Sequence, residues 1–423
     1  MIGVMLIVFL LLLLLGVPIA FSLGISSMVF ILGSNTPLVL IGQRVFAGVD
    51  SFVLLALPGF MLAGALMNTG GITKRLLKFC NAVVGHVRGS LALVNVVSSA
   101  LFAGISGTAL ADVVSLGSMV IPAMKEDGYE PEFAVALTAS TSVMGPIIPP
   151  SVPMVIAGSA VAISVGGMFA GGILPGILLG LLFFIQVLYL AKKKGYPKTH
   201  KRTLKEIATI TLQTIWALFM PLILMLGILG GFFTPTEAAI ITVAYSLLIG
   251  LIIYRELTFK TIFRAVTATM RSAASVLLLI GLASVFANIL VQEHIPQMLA
   301  DSILGTTNNY ILVILIINLI LLFVGMFMES IAAILIMFPV LLPVAVGAGM
   351  APLQFGVMAV LNLMIGLVTP PVGICLATAA QIGKVPLWKA IVANMPLLII
   401  LLVVLMLVAF FPPLTMWLPS LMN

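Results

Sequence analysis

Gly145 and Pro149-Pro150 stand in GPIIPPSVP, and Gly366 and Pro370-Pro371 stand in GLVTPPVGI, so Gly, three residues and Pro-Pro recur inside apolar sequence. An interior proline deletes one helical hydrogen bond and clashes with the carbonyl four residues back, at a cost of about 3 kcal/mol or more. Pro149 and Pro150 therefore release the carbonyls of Gly145 and Pro146, and Pro370 and Pro371 those of Gly366 and Leu367. Released carbonyls are cation ligands. A half-helix ending at such a break also turns the negative end of its dipole toward a cation, while the half-helix that follows offers N–H groups to an anion. A first cation site is expected from oxygens of Gly104, Ser106, Gly145 and Pro149, and a second from Gly325, Met328, Gly366 and Thr369, with Pro150, Pro370 and Pro371 supporting the breaks.

Carboxylates in hydrocarbon are costly and mark ion or substrate paths. Asp112 and Glu329 are the clearest in this chain. Each can orient a chain turn, tune cation affinity, touch substrate, or bond backbone N–H groups structurally. Hydroxyls gather beside the first break at Thr138, Ser140, Thr141, Ser142 and Ser151, with Ser159 and Ser164 beyond. A substrate-facing set of Thr108, Asp112, Ser140, Ser142 and Ser164 is expected, although buried Ser and Thr also bond the preceding turn. Glu237, in GFFTPTEAA after Thr234, reads as a helix cap.

The elements that must hold these groups are transmembrane. The chain has 423 residues, 62% hydrophobic and 7% charged, with mean hydropathy +1.33, which places it among all-α polytopic membrane proteins. Apolar runs of spanning length, about 20 residues, lie near 2–31, 52–68, 168–190, 214–231, 238–254, 272–291 and 388–411. The first run has neither a basic n-region nor an A-x-A site and reads as one retained helix. Cys80 and Cys375 are the only cysteines, too few for a disulfide framework or a thiolate metal site. All Lys and Arg except Arg44 fall in bands at 74–88, 125, 192–205, 255–271 and 384–389, which are cytoplasmic under the positive-inside rule. The basic stretch AKKKGYPKTHKRTLKE from Ala191 then reads as a linker between halves rather than a nucleic-acid tail.

Those halves match at a fixed offset of 221 residues: LFAG at 101 on LFVG at 322, Pro122 on Pro343, Gly128 on Gly349, Pro131 on Pro352, and the two breaks on each other. The turn KEDGYEPE at 125–132 is charged, and its counterpart VGAGMAPL at 346–353 is not. That asymmetry is expected of two units inserted in opposite senses. Each unit reads as a re-entrant hairpin with its tip near 104–108 or 325–329, followed by a discontinuous helix. Irregular backbone at this depth survives only where protein buries it or it lines a cavity, so tip and break should meet. The divisions are 1–88, scaffold and arm helices; 89–190, first unit (hairpin 90–123, broken helix 131–163); 191–309, linker, scaffold and arm; 310–384, second unit (hairpin 310–343, broken helix 353–380); and 385–423, a C-terminal helix.

FAGISGTALAD, GPIIPP, GLVTPP, LPGFMLAGALMNTGGITKRLLKF and FMESIAAILIMFPVLLP together resemble the DctM-like large membrane subunit of tripartite ATP-independent periplasmic (TRAP) transporters, within the ion transporter superfamily. The likeness covers nearly the whole chain. The family usually reads Gly-x-Ser-Gly-Ser-Ala at the first tip; Thr108 keeps a hydroxyl where the second serine stands. The resemblance implies an importer in a bacterial inner membrane, driven by two or more sodium ions through an elevator motion. It also implies a small four-helix membrane partner, a periplasmic binding protein, and an organic acid such as sialic acid or a C4-dicarboxylate. A sodium charge moving inward through 100 mV gains about 2.3 kcal/mol, so two offset one carboxylate. No Walker A pattern is present, and nucleotide use is not expected.

GISG also matches the Gly-x-Ser-Gly of intramembrane serine proteases, but His86 and His200 lie in basic segments and His294 at an outer edge, so no base is expected at serine depth. Carbonyl-lined breaks serve channel filters too; paired hairpins favour alternating access. A stand-alone sodium-coupled carboxylate symporter or antiporter uses the same parts. In all the transport readings, replacing Pro370 and Pro371 by alanine is expected to weaken sodium dependence more than membrane insertion. Sodium affinity in the variant equal to wild type would count against a cation at the break.

Overall fold

The computed structural model describes every residue except Asn35, 197–202, Asn308 and Asn423, and describes Gly104 to Ser106, Leu204, Leu304 and Thr306 by backbone alone. Among the described residues there is no strand. The helices are α1 (Ile2–Leu14), α2 (Ile19–Gly33), α3 (Val39–Val49), α4 (Ala56–Thr69), α5 (Ile72–Val84), α6 (Ser90–Ser106), α7 (Ala109–Glu126), α8 (Pro131–Thr141), α9 (Val152–Val161), α10 (Val165–Lys194), α11 (Leu204–Leu229), α12 (Pro235–Leu248), α13 (Phe259–Gln292), α14 (Ile295–Thr306), α15 (Tyr310–Phe327), α16 (Ser330–Gly347), α17 (Pro352–Gly366), α18 (Ile374–Gly383), α19 (Leu387–Phe410) and α20 (Pro413–Ser420). Among the described residues, eight helical stretches are long and apolar enough to cross a bilayer. The chain is an all-α polytopic membrane protein.

The apolar run at 2–31 is not the single helix its composition predicts. It folds into α1 and α2, which pack on each other around a turn with Gly16 at φ +77° and Pro18 at the N-cap of α2. A left-handed glycine two residues before a proline stops a helix whatever the apolarity of its flanks. By contrast α13 runs unbroken for 34 residues, about 51 Å, well beyond a hydrocarbon core of about 30 Å. It packs against α2, α3, α4 and α16. Glu237 does cap α12, in a reciprocal capping box with Thr234.

Residues 90–161 and 310–383 form two hairpins and two broken helices. Helices α6 and α7 turn at Gly107 and Thr108, with Gly107 at φ +63°, and α15 and α16 turn at Met328 and Glu329. Helix α8, a break and α9 follow the first hairpin; α17, a break and α18 follow the second. The post-break helices are exchanged. Helix α9 packs on α16 of the second hairpin, and α18 packs on α7 and α8 of the first unit. The long C-terminal α19 lies against α8 and α17, inside the same bundle.

Tip and break meet in both units. The Val152 N–H donates to the Gly107 carbonyl at 3.2 Å. In the second unit Gly325 and Gly366 touch backbone to backbone: a Cβ on Gly366 would sit 2.4 Å from the Gly325 carbonyl carbon and 2.7 Å from its Cα. Only glycine permits that approach. Gly366→Ala is therefore expected to cost about 1–3 kcal/mol, read as a lower midpoint of thermal unfolding in detergent. Gly42→Ala, with nothing within 4 Å of the new Cβ, is expected to leave the midpoint unchanged or slightly raised. Equal midpoints for the two variants would mean that α15 and α17 do not touch there.

Candidate functional site

Both half-helices tighten before they break. After α8 the Gly145 N–H reaches the Ser142 carbonyl at 3.0 Å and the Ile147 N–H reaches that of Met144 at 3.1 Å. After α17 the N–H groups of Leu367, Val368 and Thr369 each reach three residues back, at 3.1 Å. Such short-range bonds satisfy terminal carbonyls that would otherwise be orphaned. The peptides Pro149-Pro150 and Pro370-Pro371, both cis, follow.

This winding corrects the expectation of open carbonyls at Pro146, Gly366 and Leu367. The Gly366 carbonyl accepts from the Thr369 N–H, and the Leu367 carbonyl accepts from the Cys375 N–H at 2.9 Å, across the break. In the first unit the Pro146 carbonyl accepts from the Ser151 hydroxyl. A carbonyl oxygen has two lone pairs, so each keeps a second acceptor position. The Thr369 hydroxyl donates to the Ile365 carbonyl at 2.6 Å and likewise keeps lone pairs. Met328 caps α15 in extended conformation. The surroundings of Gly104 and the Ser106 hydroxyl lie outside the described residues.

Asp112, in the first turn of α7, is 1% exposed. Its Oδ2 lies against Gly145 so closely that a Cβ there would be 2.4 Å away. A buried carboxylate thus stands beside the first break.

The hydroxyls are distributed differently from the expected pocket. Ser142 donates to the Ala139 carbonyl at 2.7 Å, within its own helical turn. Ser140 donates to Asn394 Oδ1 at 2.6 Å, and Asn394 Nδ2 donates to the Val368 carbonyl at 2.8 Å. Asn394 of α19 therefore ties the first unit to the second break, a role that a lone Asn in a long apolar helix does not announce. Thr141 and Asn362, 221 residues apart, are both bonded to the preceding hairpin: the Ser99 hydroxyl donates to Thr141 at 3.1 Å, and the Asn362 amide donates to Asn318 Oδ1 at 2.8 Å. Ser164 is exposed, caps α10 through the Gly167 N–H, and stands at the far end of α9 from the break, about 15 Å away.

Thr108 and Glu329 do come together. They line a cavity of about 80 Å³ with Ala109, Val152, Pro153, Ser330, Ile374 and Cys375, which are the first residues of α7, α9, α16 and α18. Four helix N-termini converge there. Glu329 caps α16, accepting from the N–H groups of Ile331 and Ala332 at 2.9 and 3.2 Å and from the Ser330 hydroxyl at 3.1 Å. Ser151 caps α9 through the Met154 N–H at 3.2 Å. Helix α18 starts at Gly373 with no side-chain cap, and the Leu367 carbonyl takes the Cys375 N–H of its first turn. Helix N-termini carry the positive end of the helix dipole and attract negative charge.

A family model described as tripartite ATP-independent periplasmic transporter, DctM component, matches residues 6–414. The sialic acid TRAP transporter large permease protein of Vibrio cholerae is 41% identical over 96% of this chain and 95% of that protein. The sialic acid TRAP transporter permease protein of Haemophilus influenzae is 36% identical over 99% of this chain and 68% of that one. Among solved structures, the YdaH transporter of Alcanivorax borkumensis shares the fold, with a TM-score of 0.62 and 17% identity over 89% of each chain.

The Asn394 bridge can be tested by a double-mutant cycle. Asn394→Leu strands the buried Ser140 hydroxyl and Val368 carbonyl, at about 1–3 kcal/mol for each unsatisfied group. Adding Ser140→Ala removes one stranded group, so the double variant is expected to lose less stability than the two singles combined. Strict additivity in thermal or denaturant unfolding would mean the two side chains are not coupled.

Proposed function

Since the chain belongs to the family of DctM components of tripartite ATP-independent periplasmic transporters, we propose that it imports an organic acid, driven by sodium. The family is one of transport proteins and not of enzymes. In this reading the chain is the large subunit in a bacterial inner membrane, a small four-helix subunit completes the membrane unit, and a periplasmic binding protein delivers the substrate. Sialic acid is the first substrate to test, on the likeness to the Vibrio cholerae permease, and C4-dicarboxylates are the second.

The observation that carries the proposal is the meeting of four helix N-termini on one cavity between the hairpin tips. Both substrate classes present a carboxylate, which suits N-terminal dipoles and backbone N–H groups without a cationic side chain. Sodium suits the opposite poles: the C-terminal ends of α8 and α17, with Asp112 beside the first. The two charges of opposite sign are then neighbours, and binding one lowers the cost of the other.

Size adds a conformational requirement. About 80 Å³ holds two or three waters, whereas ligand pockets commonly occupy about 300–1,000 Å³. The hairpin tips must part to admit substrate, and release on the other side requires access to alternate. An elevator motion, in which the two oppositely inserted units move as one body past the α13 scaffold, satisfies both.

Co-reconstitution of the chain with its small subunit in liposomes, with binding protein carrying radiolabelled sialic acid, tests this. Uptake that needs both an inward sodium gradient and the binding protein is the expected result. Sodium-driven uptake without the binding protein would overturn the tripartite part and leave a stand-alone symporter. Asp112→Asn, which keeps shape and removes charge, is expected to raise the sodium concentration for half-maximal uptake about tenfold, equivalent to about 1.4 kcal/mol. An unchanged sodium requirement would take Asp112 out of the ion site.

A further inference from the structure

A separate cavity of about 440 Å³ opens between α5, α11 and the segment after α12, lined by Arg75, Lys78, Gln213, Trp216 and Tyr254. It is built around a fixed arginine. The Arg75 guanidinium lies over the Tyr254 ring, 3.7 Å from its centroid, donates to the Gly71 carbonyl at 3.0 Å and pairs with Glu256. Gly71, at φ +77°, leaves the room for that pair: a Cβ there would be 2.2 Å from the Glu256 carboxylate. Glu256 offsets the charge of Arg75, so the net positive charge comes from Lys78, whose Nζ lies 3.2 Å from Gln213 Oε1, and from exposed Lys74 one turn earlier on α5.

From this basic mouth an apolar track leaves along one helix. Leu212 (68% exposed), Trp216 (43%), Phe219 (44%) and Leu226 (66%) follow at spacings of four, three and seven, which put them on one face of α11. Charge at one end, an aromatic residue at the boundary and an apolar stripe beyond it reproduce the polarity profile of a lipid in its leaflet. A guanidinium held flat on a ring is also well placed for a phosphate.

We propose that this cavity binds an anionic phospholipid, with the phosphate between Arg75 and Lys78 and the acyl chains along α11. The site is independent of the transport reading. Its test uses Trp216 as the reporter in a chain carrying Trp388→Phe and Trp417→Phe, reconstituted in phosphatidylcholine with small fractions of brominated lipid. Brominated phosphatidylglycerol is expected to quench Trp216 about fivefold more effectively than brominated phosphatidylcholine. Lys78→Gln is expected to remove the preference while leaving the thermal midpoint unchanged, and millimolar inorganic phosphate is expected not to reverse it. Equal quenching by the two lipids, no quenching by either, or a preference untouched by Lys78→Gln would each overturn the proposal. Reversal by inorganic phosphate would overturn it too, leaving a site for free anions.

Discussion

Backbone polar groups in hydrocarbon have no water to turn to, and this one constraint organises the molecule. Two helices are interrupted by paired prolines at membrane depth, and each interruption creates donors and acceptors that the bundle must meet. The supply comes from several directions. Gly107 accepts from Val152, the Ser151 hydroxyl serves Pro146, the Cys375 N–H crosses the second break to Leu367, and Asn394 reaches Val368 from another helix. Each of these contacts fixes where a hairpin, a half-helix or α19 must lie.

Once those demands are met, electrostatics follows from direction alone. Helices ending at a break present negative poles, helices starting there present positive ones, and the exchange of α9 and α18 between units gathers the starting ends around a single cavity. Asp112 and Glu329 divide the work: one carboxylate lies against an ending half-helix, the other caps a starting one. Helix poles of opposite sign are thus separated by backbone geometry, with one carboxylate at each kind of end.

Glycine and proline made much of this legible in the sequence. Gly145, Gly366 and the two Pro-Pro pairs constrain the chain locally, so their meaning survives without knowledge of the fold. Glu237 was readable for the same reason, since its partner Thr234 is three residues away. Asn394 was not, because its partners lie 254 and 26 residues off and a single polar letter carries no period. The carbonyls of Gly366 and Leu367 show the limit of proline arithmetic: it counts the bonds a proline deletes and is blind to the tighter turns and cross-break donors that replace them. The α1–α2 turn fails differently, since hydropathy saw 30 apolar residues where Gly16 and Pro18 set the geometry. Ser164 was grouped by nearness in sequence to a break that a helix of ten residues carries it away from.

The exchange of α9 and α18 has a consequence for synthesis. Helix α9 leaves the ribosome about 180 residues before α16, the surface it packs on. At roughly 5–20 residues per second, the face of α9 that meets α16 waits about 10–35 s for its partner. During that interval Ser151 is the local group that can serve the Pro146 carbonyl. A chain wired this way places a timing demand on its own biogenesis: one face of α9 stays without its native partner until the second half arrives.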